Sequence, residues 1–338
     1  MTMPKNGLLL VNLGSPDAPD EASVRRYLQE FLSDPRVMDI PAWSRFLILR
    51  LFILPKRPKK VAPLYRAIWT DQGSPLVAYG KQLAQGVQEA LGPTWKVALG
   101  MRYGEPSLES ALEQLQGIGH LAVLPLFPQY ASATTGSVIE RLMELLGGQK
   151  VFPQLAIQPS FYQDPAFLDA FALRGRGLWS AGFDHLLFSF HGLPERHLTQ
   201  ADRTGHCLNG PECCKAPGAA ERGCYKAQCL ATAQGLAARL EVPPDRWSVA
   251  FQSRMGKEVW LGPHFDQELE RLVQAGVKRL MVYSPSFVAD CLETLEEIGV
   301  AGAKRFRALG GEGLALVPSL NQGSDWVQAV AKFAERTF

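Results

Sequence analysis

The stretch HLLFSFHG, residues 185–192, carries the pattern on which the fold prediction for this chain depends. Its apolar run is continuous rather than alternating, which is typical of a strand buried on both faces of a parallel sheet. The run ends at His191 and Gly192, and Pro194 follows, so the chain turns abruptly there. A buried strand that ends in a polar turn is the repeating unit of open α/β sheets.

Similar apolar runs recur along the chain, bounded by Gly, Pro or Ser and separated by amphipathic helical stretches such as SLESALEQLQGI. The predicted strands lie at 7–14, 96–103, 120–128, 185–192, 246–253, 279–287 and 314–320. Alternating strands and helices predict a doubly wound α/β architecture with parallel sheets. A break in the series at 147–165 divides it into two groups, so we place a domain boundary near residue 153 and expect a ligand cleft between two sets of strand ends.

The composition of the 338 residues is that of a folded protein, with 46% hydrophobic and 20% charged residues. A net charge of +2 is too small to suggest a nucleic-acid-binding protein. The start of the chain has no signal-peptide pattern, which predicts a cytoplasmic protein. In that compartment thiols stay reduced, so clustered cysteines indicate a metal site before they indicate disulfides.

Two groups of polar residues follow predicted strands and are candidates for chemistry. His191 ends the strand at 185–192, and Asp290, Glu293 and Glu297 follow the strand at 279–287. Their i, i+3, i+7 spacing predicts one acidic row along an α-helix, with a solvated acidic face as the alternative. Neighbouring carboxylates raise one another's pKa, which suits groups that pass protons or briefly hold a divalent cation.

The segment from Trp43 to Lys60 mixes apolar and basic residues. Its apolar part is interrupted by Arg50 and ends at Pro55, well short of the ~20 residues that a membrane-spanning helix needs. Two interpretations stay open: a helix lying on a membrane surface, or a core helix followed by a basic loop.

Six ordered motifs carry a resemblance to one family: LLLVNLGSPDAP (8–19), GMRYGEPSLESAL (100–112), LPLFPQYASATTGS (124–137), FSFHGLPERH (188–197), FQSRMGKEVWLGP (251–263) and SPSFVADCLETLEEIG (284–299). Together they resemble the successive signatures of ferrochelatase, which inserts ferrous iron into a porphyrin. The resemblance runs over nearly the whole chain. It implies two similar Rossmann-like domains, residues 1–153 completed by a C-terminal helix at 321–338, and residues 154–320, with the porphyrin in the cleft between them.

The resemblance also implies roles for single residues. His191 matches the active-site histidine and Glu293 the glutamate opposite it, one for proton abstraction and one for metal handling, with the division between them left open. Asp290 and Glu297 continue an acidic path. Three further residues match the lining of the porphyrin pocket: Tyr130, Trp260 and Phe287.

Two more features follow from the resemblance. Leu13 occupies a pocket position where some bacterial members have a tyrosine, so no iron coordination is implied on that side. The apolar lip of the family falls on residues 43–54, which favours peripheral contact between this segment and a membrane. No nucleotide cofactor is implied, because the reaction involves no redox change.

Five of the six cysteines lie between Cys207 and Cys229. No CxxC pair occurs among them, which weakens the case for structural zinc, whereas iron–sulfur clusters tolerate irregular spacing. Some ferrochelatases carry a [2Fe–2S] cluster in an insertion after the active-site histidine, here 200–224. The resemblance therefore implies the ligands Cys207, Cys213, Cys214 and Cys224.

Alternatives remain open at this point. Cys229 in place of Cys213 or Cys214 is a rival ligand set, and a reduced loop without metal is another possibility. For function, the prediction is insertion of ferrous iron into protoporphyrin IX to form protohaem. The alternatives are the same reaction on coproporphyrin III, or a non-catalytic haem or iron–sulfur sensor, against which the intact His191 and Glu293 argue.

Overall fold

The computed structural model describes residues 5–210, 212–216, 218–254 and 258–337. Within these ranges the chain forms eight strands: β1 (Asn6–Gly14), β2 (Trp95–Tyr103), β3 (His120–Pro125), β4 (Gln154–Ile157), β5 (His185–His191), β6 (Trp247–Gln252), β7 (Arg279–Tyr283) and β8 (Gly313–Leu316). They make two four-stranded parallel sheets, in the order β2-β1-β3-β4 and β6-β5-β7-β8. The predicted α/β architecture with parallel sheets is therefore confirmed, and the two sheets share one strand order.

The α-helices of the described ranges are α1 (Glu21–Ser33), α2 (Ala42–Ile48), α3 (Arg57–Ile68), α4 (Pro75–Leu91), α5 (Leu108–Gln114), α6 (Ser137–Leu146), α7 (Pro165–Ser180), α8 (Glu195–Ala201), α9 (Tyr225–Arg239), α10 (Phe265–Gln274), α11 (Ala303–Ala308) and α12 (Ser324–Thr337). Three π-helical segments accompany them, at Leu49–Ile53, Ser132–Gly136 and Glu293–Gly302. Short 3₁₀ turns lie at Cys213–Lys215, Gly218–Ala220 and Pro244–Arg246.

Each sheet belongs to its own compact unit. The first unit comprises residues 5–127, 131–160 and 321–337, and the second comprises 128–130 and 161–320 within the described ranges. Strand β4 lies in the gap at 147–165, where the sequence predicted no strand, and it pairs with β3. The four residues of β4 are only partly buried or exposed, so they lack the long apolar run that marks the other strands.

Local sequence explains how these elements begin and pack. The Asp20 carboxylate accepts hydrogen bonds from the first backbone N–H groups of α1, and Asp164 does the same for α7. In the first unit, β1 and β3 bury Leu9 and Val123 against α5 and α6. In the second unit, β5 buries Leu187 against α10. Burial on both faces explains why the apolar runs are continuous.

The segment from Trp43 to Leu54 forms α2 and the π-helical turn Leu49–Ile53. Five of its large apolar side chains are exposed: Trp43, Phe46, Leu47, Leu51 and Phe52. Leu49 and Leu54 are buried, so only part of the segment contributes to the core. In the described part of the chain no helix has the length and hydropathy required to cross a membrane.

Candidate active site

His191 is the last residue of β5, at the carboxyl edge of the second sheet. The N–H and the carbonyl of its backbone are both hydrogen-bonded to side chains. The His191 N–H donates to Ser286 Oγ at 3.3 Å, and the His191 carbonyl accepts from the Tyr225 hydroxyl at 2.9 Å. The position of His191 is thus set by the loop after β7 and by the first residue of α9.

The tautomer of the His191 imidazole follows from its neighbour. Nδ1 lies 2.7 Å from the carbonyl oxygen of Gly192, and a carbonyl can only accept a hydrogen bond. Nδ1 therefore carries the proton in the neutral ring, which leaves the lone pair on Nε2. A side chain at residue 192 has no room, because a Cβ there would lie 2.7 Å from the Gln252 carbonyl oxygen.

Two aromatic candidates, Phe287 and Trp260, lie near the carboxyl end of β5 in the second unit. The Phe287 ring lies 6.3 Å from the His191 ring, at 68° to it. Trp260 forms a β-bridge with Pro194 and would be 3.4 Å from a Cβ on Gly192. The structure therefore places Phe287 beside the His191 ring and Trp260 beside Gly192 and Pro194.

Gln252 is a polar residue near the carboxyl end of β5 that the sequence reasoning did not single out. It pairs with His191 in the sheet register, and its Oε1 accepts a 2.6 Å hydrogen bond from Ser189. Its Nε2 is buried and has no hydrogen-bond partner in the described residues. In the sequence, Gln252 lies near the end of a predicted strand and inside the motif at 251–263.

The acidic residues after β7 do not form the α-helical row that their spacing predicts. Asp290 precedes the helix and is buried, and its Oδ1 accepts from Thr294 Oγ1 at 3.1 Å and from the Ser319 N–H at 3.3 Å. The helix itself, Glu293–Gly302, is π-helical. The prediction of one α-helical row of three carboxylates is therefore wrong, because the chain turns before the helix and then winds with i→i+5 bonds.

Glu293 and Glu297 both lie on the π-helix, and Glu293 is half-buried at its first position. Glu297 Oε2 accepts a 2.7 Å hydrogen bond from Ser253 Oγ. Ser253 has φ of 61°, a left-handed conformation that non-glycine residues seldom adopt. Strained backbone of this kind often marks a functional site, and here it directs a serine hydroxyl at the carboxylate.

Cys291 lies between the buried Asp290 and Glu293. Burial raises the pKa of the Cys291 thiol well above its ordinary value, and the nearby Glu293 charge acts in the same direction. The thiol is therefore protonated at neutral pH.

Two remaining pocket candidates lie elsewhere in the fold. Tyr130 follows β3 in the chain and belongs to the second unit, where its backbone N–H donates to Gln228 Oε1 of α9 at 2.7 Å. Leu13 lies on β1 of the first unit and packs, partly buried, against the apolar cluster of that unit.

The hydroxyl-rich loop after Tyr130 forms the π-helix Ser132–Gly136 and leads into α6. Ser137 Oγ and the Tyr103 hydroxyl both contact the buried Asp34 carboxylate, at 2.5 Å and 2.7 Å. Burial by itself would raise the pKa of Asp34, but hydrogen bonds from Ser137, the Arg36 backbone and Tyr103 hold it below its ordinary value. These bonds fix the start of α6.

The cysteine-rich segment brings its thiols together around Cys224. Cys224 caps α9, and its Sγ accepts from the Ala227 N–H at 3.4 Å. The neighbouring thiols of Cys214 and Cys207 lower the pKa of the Cys224 thiol to about 6, against the effect of burial. Cys213 Sγ is 3.8 Å from Cys214 Sγ. Cys207 and Cys214 are thus neighbours of Cys224 at one helix N-terminus, and Cys213 lies beside Cys214.

Cys229 stands apart from these four. It is fully buried, and burial raises its pKa well above the ordinary value, while the neighbouring Tyr225 hydroxyl acts in the opposite direction. Over the described ranges no group of three or more His, Cys, Asp or Glu side chains has the geometry of a finished metal site. In the described residues the four thiols are therefore not arranged around a common metal position.

Comparisons with known proteins identify the family. The family model for ferrochelatase matches residues 5–338. The ferrochelatase of Stutzerimonas stutzeri (strain A1501) is 48% identical over 341 residues, 99% of this chain and 98% of that protein. The ferrochelatase of Azotobacter vinelandii is 46% identical over 336 residues, 98% of both chains.

A solved structure shows a similar fold at low sequence identity. SirB from Bacillus subtilis with Fe3+ aligns with a TM-score of 0.54 and 12% identity, over 98% of this chain and 95% of that one. That likeness supports the two-sheet fold alone. With a family model that spans nearly the whole chain and relatives that match almost half of its residues, this chain belongs to the ferrochelatase family.

Proposed function

We propose that this member of the ferrochelatase family inserts ferrous iron into protoporphyrin IX, with His191 as the base that accepts pyrrole protons. The observation that carries the proposal is the fixed tautomer of His191. Because Nδ1–H is bonded to the Gly192 carbonyl, the Nε2 lone pair is available to a proton donor. An imidazole accepts protons near neutral pH, as this reaction requires.

In the reaction, the porphyrin loses two pyrrole protons and the ferrous ion loses its water, and iron remains ferrous in the product. Glu293 provides a carboxylate at the start of the π-helix after β7, the strand next to β5. The carboxyl ends of parallel neighbours lie at one edge of the sheet, so the base and the carboxylate are both presented at that edge. We assign proton acceptance to His191, which takes one pyrrole proton at Nε2 and releases it to solvent before it takes the second. We assign handling of the incoming cation to Glu293.

The remaining site residues support these two. Asp290 is tied to Thr294 and a backbone N–H, so we propose that it anchors the turn before the π-helix. Glu297, bonded to Ser253, continues the carboxylate path along the helix. The rings of Phe287, Trp260 and Tyr130, which all belong to the second unit, provide apolar lining for a flat macrocycle.

The decisive experiment is an anaerobic insertion assay with His191→Ala and the wild-type protein, followed by absorbance of the metallated porphyrin. The variant should lose turnover and keep its fold, because His191 is at a strand end and only half-buried. Normal turnover would refute the assignment of the base. Parallel assays with protoporphyrin IX and coproporphyrin III identify the substrate, and we expect the first, which has fewer carboxylates, to suit the exposed apolar segment.

We further propose that Cys207, Cys213, Cys214 and Cys224 hold a [2Fe–2S] cluster. The donor set is chemically suitable, because Cys224 at the N-terminus of α9 has the thiols of Cys207 and Cys214 as neighbours, with Cys213 beside Cys214. The pKa of the Cys224 thiol is lowered to about 6, whereas burial and the nearby Cys224 raise the pKa of Cys207 and Cys214, so iron would have to displace their protons. When bound, the cluster cross-links the insertion at 200–224. It transfers no electrons during iron insertion, because the iron stays ferrous.

The exposed apolar residues of α2 and of the π-helical turn after it support peripheral membrane contact. Phe46 and Phe52 are 59% and 64% exposed, and Arg50 stands 5.9 Å from the Phe46 ring. Basic side chains at Lys56 and Arg57 follow directly. Apolar side chains beside basic ones favour the surface of an anionic bilayer, where a hydrophobic porphyrin also partitions.

A further inference from the structure

Tyr225 joins the cysteine-rich insertion to His191. It is the first residue of α9, directly after Cys224, and its side chain is almost fully buried. Its hydroxyl donates to the His191 carbonyl at 2.9 Å and lies 3.0 Å from Ser286 Oγ. A tyrosine that is buried in this way needs partners for its hydroxyl, and these two belong to the candidate active site. The buried Cys229 thiol is a further neighbour of the hydroxyl.

The hydrogen bonds form a closed ring. The His191 N–H donates to Ser286 Oγ, and the Tyr225 hydroxyl donates to the His191 carbonyl. Since the Tyr225 proton is used there, the contact between the two hydroxyls has Ser286 as donor. This ring of hydrogen bonds fixes the two peptide planes that flank His191. Ser286 also precedes Phe287, whose ring contacts the imidazole.

The imidazole orientation depends on this ring. His191 Nδ1 is hydrogen-bonded to the carbonyl of Gly192, the next residue. Any rotation of the peptide between His191 and Gly192 therefore also moves the carbonyl that holds the imidazole. Only Nε2 is then left to face a substrate. Displacements below 1 Å at a reacting atom already cost catalytic rate.

The other end of this connection is the cysteine group. Cys224 has the thiols of Cys207 and Cys214 as neighbours, caps α9 and directly precedes Tyr225, so a shift of Cys224 also moves Tyr225. We infer that Tyr225 is a positioning residue that couples the state of the cysteine insertion to the orientation of His191. This inference rests on the proposed function, because it takes His191 as the base.

The test is Tyr225→Phe in the full-length protein with its cluster, a change that removes one oxygen and keeps the ring. We expect kcat to fall about tenfold, the size expected when one neutral hydrogen bond is lost at the transition state. The Kd for porphyrin and the visible absorbance of the cluster should not change. The imidazole ¹H–¹³C NMR signal of His191, assigned by its loss in His191→Ala, should shift.

Tyr162→Phe is the matched control. The Tyr162 hydroxyl donates to Glu221 Oε1 at 2.7 Å, so it also holds the insertion, but it contacts nothing in the His191 ring of hydrogen bonds. Its kcat and its His191 signal should equal those of the wild type. A loss of kcat in this control equal to that in Tyr225→Phe would overturn the inference, since any loosened insertion would then have the same effect.

Coupling is measured by a cycle with Cys207→Ser, a residue far from Tyr225 in sequence. In the protein that keeps Tyr225, loss of the cluster should lower kcat about tenfold and shift the His191 signal. In Tyr225→Phe, loss of the cluster should cause little further change in either. Additive effects, or an unshifted signal in Cys207→Ser, would contradict coupling. Inactive wild-type protein, or active His191→Ala, would instead reject the proposed function, while the NMR shift in Tyr225→Phe still tests the positioning.

Discussion

Replacing Gly192 by alanine tests whether the carboxyl end of β5 sets the geometry of the reaction. The added methyl group would lie 2.7 Å from the Gln252 carbonyl oxygen and 3.4 Å from the Trp260 ring. The Gly192 N–H donates to that same carbonyl at 2.7 Å, so the two backbones are already in close contact. Because the Gln252 carbonyl belongs to the backbone and not to the flexible end of a side chain, the end of β5 has to shift.

The size of the effect follows from these distances. Non-bonded carbon atoms favour separations of about 3.5–4.0 Å, so the peptide at residue 192 must move by roughly 1 Å. That peptide carries the oxygen that binds His191 Nδ1. A misplacement of about 1 Å at a reacting group costs on the order of 100-fold in rate, so we expect kcat to fall about 10- to 100-fold.

Two glycines of α7, Gly175 and Gly177, provide matched controls for the same change of glycine to alanine. A Cβ at Gly177 meets nothing within 4 Å, so alanine there should raise the free energy of unfolding by about 0.5–1 kcal/mol, through helix propensity. A Cβ at Gly175 would overlap the Tyr283 hydroxyl in the core, so alanine there should destabilise the fold by about 1–3 kcal/mol. Neither should change kcat of the folded protein.

The assay is anaerobic iron insertion under porphyrin saturation, with thermal unfolding and porphyrin Kd measured on each variant. Gly192→Ala should combine a large loss of kcat with an unchanged Kd, whereas Gly175→Ala should show the reverse pattern of lower stability and normal kcat. Wild-type kcat in a folded Gly192→Ala protein would refute the argument that this backbone contact orients His191.

Further predictions concern the other parts of the site. Glu293→Gln keeps the shape and removes the charge, so kcat should fall by orders of magnitude with porphyrin Kd nearly unchanged; weak porphyrin binding with normal turnover would contradict this. Purified protein should be coloured before porphyrin is added, and Cys207→Ser should bleach that colour while Cys229→Ser should not. Colour that depends on Cys229, or anaerobic protein without iron and sulfide, would reject the proposed ligand set. Liposome association should decrease, with activity on detergent-dispersed porphyrin retained, when serine replaces three exposed residues: Phe46, Leu51 and Phe52. Precipitation of that triple variant would show that these side chains belong to a core.

Sequence patterns were sufficient for the parallel α/β fold, because burial of both sheet faces demands a continuous apolar run in each strand. They were also sufficient for the position of His191 at a strand end, since Gly192 and Pro194 mark the turn. Strand β4 was not predicted from the sequence, because four partly exposed residues at a sheet edge need few apolar side chains.

Tertiary structure decided what depends on contacts distant in sequence. The hydrogen bonds between Tyr225 and His191, and between Ser189 and Gln252, exist only once α9 and β6 are placed beside β5. The π-helical turns could not be inferred either, because i→i+5 bonding is chosen by packing rather than by the propensity of the residues. That bonding changes which side chains share a face: it leaves Leu49 buried and Leu51 exposed, and it replaces the α-helical acidic row that spacing alone predicted.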